Sequence, residues 1–197
     1  MRIHLKIEEQ AKRAGLTQFI GSLAAALALL CAGALRGSDG PVATEAQVKA
    51  AFLLNFAKYA DWPASAFAEA TAPITIGLIG TDSFGDTWLR VEGKTINGRA
   101  FIIKHLAPDA DIKDCQILFI SHSESARMAG ILRTARSLPI LTVGEDAAFT
   151  ENGGIINFVL KNGKVRLEID LAAARKAGVV LHSRLLAVAD TVKGKEN

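Results

Sequence analysis

Three polar residues in a row, Ser121-His122-Ser123, come directly after the apolar run "CQILFI". A histidine can act as a general base and a serine as a nucleophile, so Ser121 and His122 together outline a hydrolase. Adjacent residues rarely meet in triad geometry, however, and no G-x-S-x-G elbow accompanies them. Ser123 reads better as the N-cap of the next helix, with Glu124 favourable at its positive end. A second candidate is "ITIGLIGTDSFG", an apolar run entering a turn with glycines at Gly77, Gly80 and Gly85. A phosphate-cradling loop needs a lysine and a hydroxyl after its last glycine, but Asp86 and Thr87 follow here. Gly77-Leu78-Ile79-Gly80 also misses the dinucleotide spacing, and Asp82 and Asp86 would repel a phosphate. The stretch is expected to be a strand, a turn and a helix start.

The remaining reactive side chains suggest neither a metal nor a cofactor. Cys115 borders an apolar run and reads as a core thiol. His105, His122 and His182 are scattered without ligand spacing, and Asp109, Asp111 and Asp114 lack the calcium-loop pattern. Net charge is +3, and four of the basic residues (Arg2, Lys6, Lys12, Arg13) fall among the first 34. The rest is close to neutral and carries no basic run, so nucleic acid is not an expected partner.

The N-terminal residues have their own character. Lys12 and Arg13 precede the apolar run "LTQFIGSLAAALALLCAGAL", and Ala32-Gly33-Ala34 fits a small-residue cleavage site. Residues 1–34 are therefore read as a secretory signal peptide and residues 35–46 as a flexible segment. The alternative is an uncleaved anchor, for which the apolar core is short of the roughly 20 residues a membrane span needs. Export to the periplasm is expected. Cys31 leaves with the leader, so Cys115 has no cysteine to pair with.

Residues 47–193 read as one α/β domain. "ATEAQVKAAFLLNFAKYADWP" is a helix capped by Thr44 and stopped by Pro63, with Trp62 folding back on it. "PITIGLIG", "GRAFIIKHLA", "CQILFIS" and "PILTVGED" are strands, and "SFGDTWLRVEG" is a short helix opened by Ser83. "SHSESARMAGILRTARSLP" is an amphipathic helix with Met128, Ile131, Leu132 and Ala135 inward. Strands alternating with helices predict a small Rossmann-like, mostly parallel sheet flanked by helices. The end of the chain differs. "GGIINFVLKNGKVRLEID" is a hairpin turning at Asn162-Gly163, "LAAARKAG" a short helix closed by Gly178, and "HSRLLAVADTV" a final helix. In this last part Arg166, Glu168, Asp170, His182 and Arg184 form either salt-bridged surface or a recognition face for a partner protein.

Taken together, "VKAAFLLNFAKYADWP", "IGLIGTDSFG", "CQILFIS" and the long block from "PILTVGED" to "LHSRLLAVA" resemble the YfiR-like family of exported proteins. That resemblance implies a non-catalytic, dimeric periplasmic regulator in c-di-GMP signalling and biofilm control. The family's namesake holds a membrane diguanylate cyclase inactive by engaging its periplasmic portion, and a peptidoglycan-linked, OmpA-like outer-membrane lipoprotein sequesters it. By the same resemblance the partner here is the periplasmic domain of such a cyclase or of another sensor. The chain departs from the family in two respects. Asp170 stands where asparagine is frequent, and Cys115 alone replaces several disulfide-forming cysteines. Arg166, Glu168, Asp170 and His182 are the expected partner contacts. A periplasmic small-ligand module with its site near Ser121, His122 and Glu145 is the alternative, and a hydrolase using Ser121 and His122 a remoter one.

Overall fold

The computed structural model describes residues 43–81, 84–90 and 93–195; the expected signal peptide, Cys31, Asp82 and Ser83 lie outside them. Helix α1 spans Glu45–Tyr59. It opens on a reciprocal cap: the Gln47 amide donates to Thr44 Oγ1 at 3.2 Å and the Thr44 amide to Gln47 Oε1 at 2.9 Å. The helix stops at Tyr59, well before Pro63. Ala60–Asp61 turns extended as strand β1 and pairs antiparallel with a later strand, β9 (Val180–Leu181). That pairing, rather than the proline, ends the helix.

The main sheet contains β2 (Ile74–Ile79), β3 (Thr95–Ile96), β4 (Arg99–Leu106), β5 (Ile117–Ile120), β6 (Leu141–Gly144), β7 (Ile156–Lys161), β8 (Lys164–Asp170) and β10 (Thr191–Lys193). Their spatial order is β10-β8-β7-β6-β5-β2-β4-β3. All neighbours run parallel except the β3–β4 and β7–β8 pairs. Every residue of β2, β5 and β6 is buried, as continuous apolar runs in a two-sided parallel sheet require. The hairpin turns where expected, with Asn162 and Gly163 at φ 52° and 69°.

Two cores form on the two faces. On one, α1 lays Leu53, Phe56 and Ala57 against the sheet. An aromatic chain extends this core from Phe56 to Phe158 (5.9 Å between centroids), Phe119 (6.4 Å) and Phe84 (5.0 Å). On the other, α2 (Ser125–Ala135) buries Met128, Ile131, Leu132 and Ala135, the four residues its spacing predicts. Phe149, wholly buried, joins this second core and lies in a slot between two glycines. A Cβ on Gly144 would stand 2.2 Å from its ring and one on Gly154 2.1 Å.

The last 25 or so residues hold the main departures. Helix α3 covers Leu171–Lys176 and α4 only Ser183–Leu186. The expected final helix is one turn, and Thr191–Lys193 continues as β10, parallel to β8. β8 offers an unpaired edge, the Asp190 amide donates to Leu167 O at 2.9 Å, and the β-branched pair Thr191-Val192 suits a strand. The cap before α2 also moves. Ser121, not Ser123, accepts from a backbone amide at the start of the His122–Glu124 turn, while Ser123 Oγ accepts from the Thr81 amide at 2.8 Å.

Candidate functional site

The parallel strands β2, β5 and β6 end together, and open α/β sheets place ligands at such ends. At the β2/β5 crevice the space is already filled. Gly80 has φ +95°, and a Cβ there would lie 2.5 Å from Ser123 Oγ and 2.8 Å from Glu124 Cγ. The glycine lets these side chains close over the strand end, so among the described residues the space a phosphate would take is filled. Gly77 does the same inside the sheet, where a Cβ would meet Leu106 and Cys115. Cys115 is buried, and desolvation pushes its thiol up to about 11, so it is an inert core group.

At the β5/β6 ends the structure brings Ser121, His122 and Glu145 together. Glu145 Oε1 accepts from the His122 amide at 3.1 Å and from Ser121 Oγ at 3.3 Å. Its Oε2 accepts from Lys49 Nζ at 2.6 Å, and Lys49 also pairs with Glu45 one turn back along α1. The Lys49 and Glu145 side chains are only 10% and 13% exposed. Burial alone would push the Lys49 ammonium down, but hydrogen bonds and charge from Glu145 and Glu45 outweigh it and hold the lysine above its usual value. Lys49 carries no motif. Its one sequence signal is its place one turn before Leu53, on the stripe of α1 that faces the core.

A serine, a histidine and an aspartate do meet just outside this pair. His122 Nδ1 lies 3.2 Å from Ser125 Oγ and 3.2 Å from Asp146 Oδ2. Both partners address the same ring nitrogen, whereas a triad needs nucleophile and carboxylate on opposite nitrogens. Ser125 donates instead to Asp146, which together with the Ala148 amide holds that carboxyl below its usual range. Ser121, the expected nucleophile, points its hydroxyl at Glu145 rather than at the imidazole. The cluster fastens loops; it does not assemble a nucleophile and base. Among the described residues no group of three or more His, Cys, Asp or Glu could hold a metal ion.

The residues expected to touch a partner fall in two places. Arg166, Glu168 and Asp170 alternate along β8, on the face opposite buried Leu167 and Ile169. Arg166 is exposed and Glu168 half-buried. Asp170 has a structural task, since its Oδ1 accepts from the Ala172 and Ala173 amides at 2.8 and 3.0 Å and caps α3. His182 is held elsewhere, with Nε2 2.6 Å from Asp61 Oδ2 beside the small β1–β9 sheet.

A profile of the YfiR/HmsC-like family matches residues 46–190, most of the chain and nearly all of this architecture. The chain belongs to the YfiR/HmsC-like family. That is a family of periplasmic, non-catalytic regulators of c-di-GMP signalling whose members act on membrane signalling proteins. No curated protein matches the chain. Among solved structures it resembles a conserved domain protein from Vibrio cholerae O1 biovar El Tor, with a TM-score of 0.54 and 11% identity. The alignment covers 76% of this chain and 60% of that one, so this chain spans less than two thirds of that protein, and the likeness concerns the fold alone. The α/β sheet with its C-terminal hairpin and helix is the expected YfiR-like fold. No described helix is long and apolar enough to cross a membrane.

Proposed function

We propose that the protein inhibits an inner-membrane diguanylate cyclase by binding its periplasmic portion. Family membership over residues 46–190 carries this reading. The strand-end geometry supports it, because the serine, histidine and aspartate it collects are arranged to fasten loops rather than to react. Residues 1–34 export the chain, which acts as a homodimer, and an OmpA-like outer-membrane lipoprotein competes for it. Inhibition is a population shift: the cyclase conformation that binds the protein is the inactive one, and a signal that lowers free inhibitor releases it.

The polar face of β8 is the proposed contact, through Arg166 and Glu168, with His182 a second point of contact. Asp170 enters this surface with its capping role, so Asp170→Asn is the cleaner variant: asparagine keeps the cap and removes the charge.

The test is capture of membrane proteins from the organism's own envelope by the tagged chain. Recovery of a membrane protein with a cytoplasmic diguanylate cyclase domain supports the proposal. Recovery of only a histidine kinase or a transporter rejects the cyclase as target. Arg166→Ala, Glu168→Ala, Asp170→Asn and His182→Gln are each expected to weaken the complex, and full retention by all four would remove this surface from the proposal.

A further inference from the structure

A cleft of about 250 Å³ opens at the other end of β6, between the end of α2, the 149–153 turn and the start of α3. Its floor is apolar, formed by Leu132, Ile140 and Ile155. Two cations stand at its wall, Arg136 and Lys176, and neither side chain has a hydrogen bond or ion pair among the described residues. Arg136 is laid across Gly153, where a Cβ would stand 3.0 Å from its Nη2; the glycine, at φ +91°, makes room for the guanidinium.

Two threonines complete the lining, and both are over nine-tenths buried, Thr142 at 4% and Thr150 at 5% exposure. Each hydroxyl oxygen accepts a bond: Thr142 from the Ile155 amide at 3.0 Å, Thr150 from Lys193 Nζ at 3.3 Å. Neither hydroxyl hydrogen has an acceptor among the described residues. Each hydroxyl therefore has one partner and keeps a donor hydrogen for a group seated in the cleft. The cleft thus offers four unengaged donor groups over an apolar floor, which is the complement of an organic anion.

Two carboxylates also line the cleft, and they select among anions. Asp170 has Oδ1 engaged by the α3 amides, and Glu151 is exposed. Arg136 and Lys176 balance these two carboxylates, so a dianion such as phosphate is disfavoured more strongly than a single negative charge that meets the two cations directly. We infer that this cleft is a binding site for a compact monocarboxylate with an apolar body. Its carboxylate meets Arg136 and Lys176, its body covers Ile155, and Thr142 and Thr150 donate to its oxygens. The cleft shares Asp170 with the proposed β8 contact surface, but the inference does not depend on the cyclase proposal.

The test is thermal unfolding of the full chain titrated with benzoate and with 3-methylbutanoate, with benzamide and inorganic phosphate as comparisons. A ligand that binds only the folded state raises Tm with concentration. The expected result is a saturable rise with one or both carboxylates and none with the comparisons. Arg136→Gln and Lys176→Gln should each weaken the effect about tenfold, the loss of roughly one charge-assisted hydrogen bond, without lowering the ligand-free Tm. Amide resonances of Thr142, Thr150 and Ile155 should shift with benzoate, a readout that needs no variant. No saturable rise with either carboxylate, an equal rise with phosphate, or undiminished binding in both variants would overturn the inference.

Discussion

At the C-terminal end of β6, Glu145 has hydrogen bonds on both oxygens and Lys49 lies between two carboxylates. At the other end, Arg136 and Lys176 have no ion-pair partner among the described residues and stand above two buried hydroxyls with a donor hydrogen to spare. One strand thus borders two polar clusters that differ in how completely they are satisfied. A saturated cluster fixes the geometry of the elements that supply it, here α1, β5 and β6. An unsaturated one beside a cleft has bonding capacity left for something outside the chain. The two are linked by the 145–153 loop, which leaves Glu145, is pinned by Phe149 between Gly144 and Gly154, and reaches the cleft at Thr150.

The largest expected effect comes from breaking the saturated cluster. Glu145→Leu strands the buried Lys49 ammonium with only the half-exposed Glu45, and should cost about 3 kcal/mol in a denaturant titration. Lys49→Met combined with Glu145→Leu should restore much of that, because the one charge then left without its partner, Glu45, is half-exposed to water. A cost well below 1 kcal/mol for Glu145→Leu would mean that the cluster is not a structural lock. Next comes the link between the clusters. Gly144→Ala puts a methyl into the Phe149 ring at 2.2 Å, and overpacking of this kind costs about 1–3 kcal/mol. Since the ring pins the loop that carries Thr150, the same variant should also weaken any carboxylate binding at the cleft. Unchanged stability would show that Phe149 can leave its slot freely.

A third polar group lies between the two cases. Asn157 pairs in register with Gly144 and with Glu168, is 0% exposed, and has no partner among the described residues for either side-chain polar atom. It is unsatisfied like the cleft but closed like the lock. Asn157→Leu keeps the approximate shape and removes the buried amide, so it should stabilise by about 1 kcal/mol. A lower Tm for this variant would instead place a buried water on the amide.

The sequence speaks most plainly where local chemistry decides the structure. Continuous apolar runs mark β2, β5 and β6, the 3.6-residue spacing marks the buried side of α2, and Asn162-Gly163 marks the hairpin. Strands β1, β9 and β10 are two or three residues long and owe their existence to a partner strand, which no local pattern reveals. The sites follow the same division. Ser121, His122 and Glu145 were readable as a group because all three follow strand ends. Lys49 was not, since 96 residues separate it from Glu145 and only packing reveals that its side of α1 is covered. The cleft was less legible still, because Arg136, Thr142, Thr150 and Lys176 belong to no motif and meet only through the crossing of α2, the loop and α3.

The smallest effect tests whether the saturated region extends to its exposed border. Asp146 accepts from Ser125 and from the Ala148 amide, and those bonds hold its folded carboxyl below the ordinary 3.8. A carboxyl depressed on folding stabilises the native state above its unfolded value, and that stabilisation disappears as pH falls through the folded one. Asp146→Asn should therefore unfold slightly earlier than the parent at pH 7, and the difference should shrink as pH falls below about 4. Because the effect rests on an ionised acceptor, a Tm difference that stays constant from pH 7 to pH 3 would assign the loss to the shape of the side chain. Asp146 would then belong with the loop's packing, and the saturated cluster would end at Glu145.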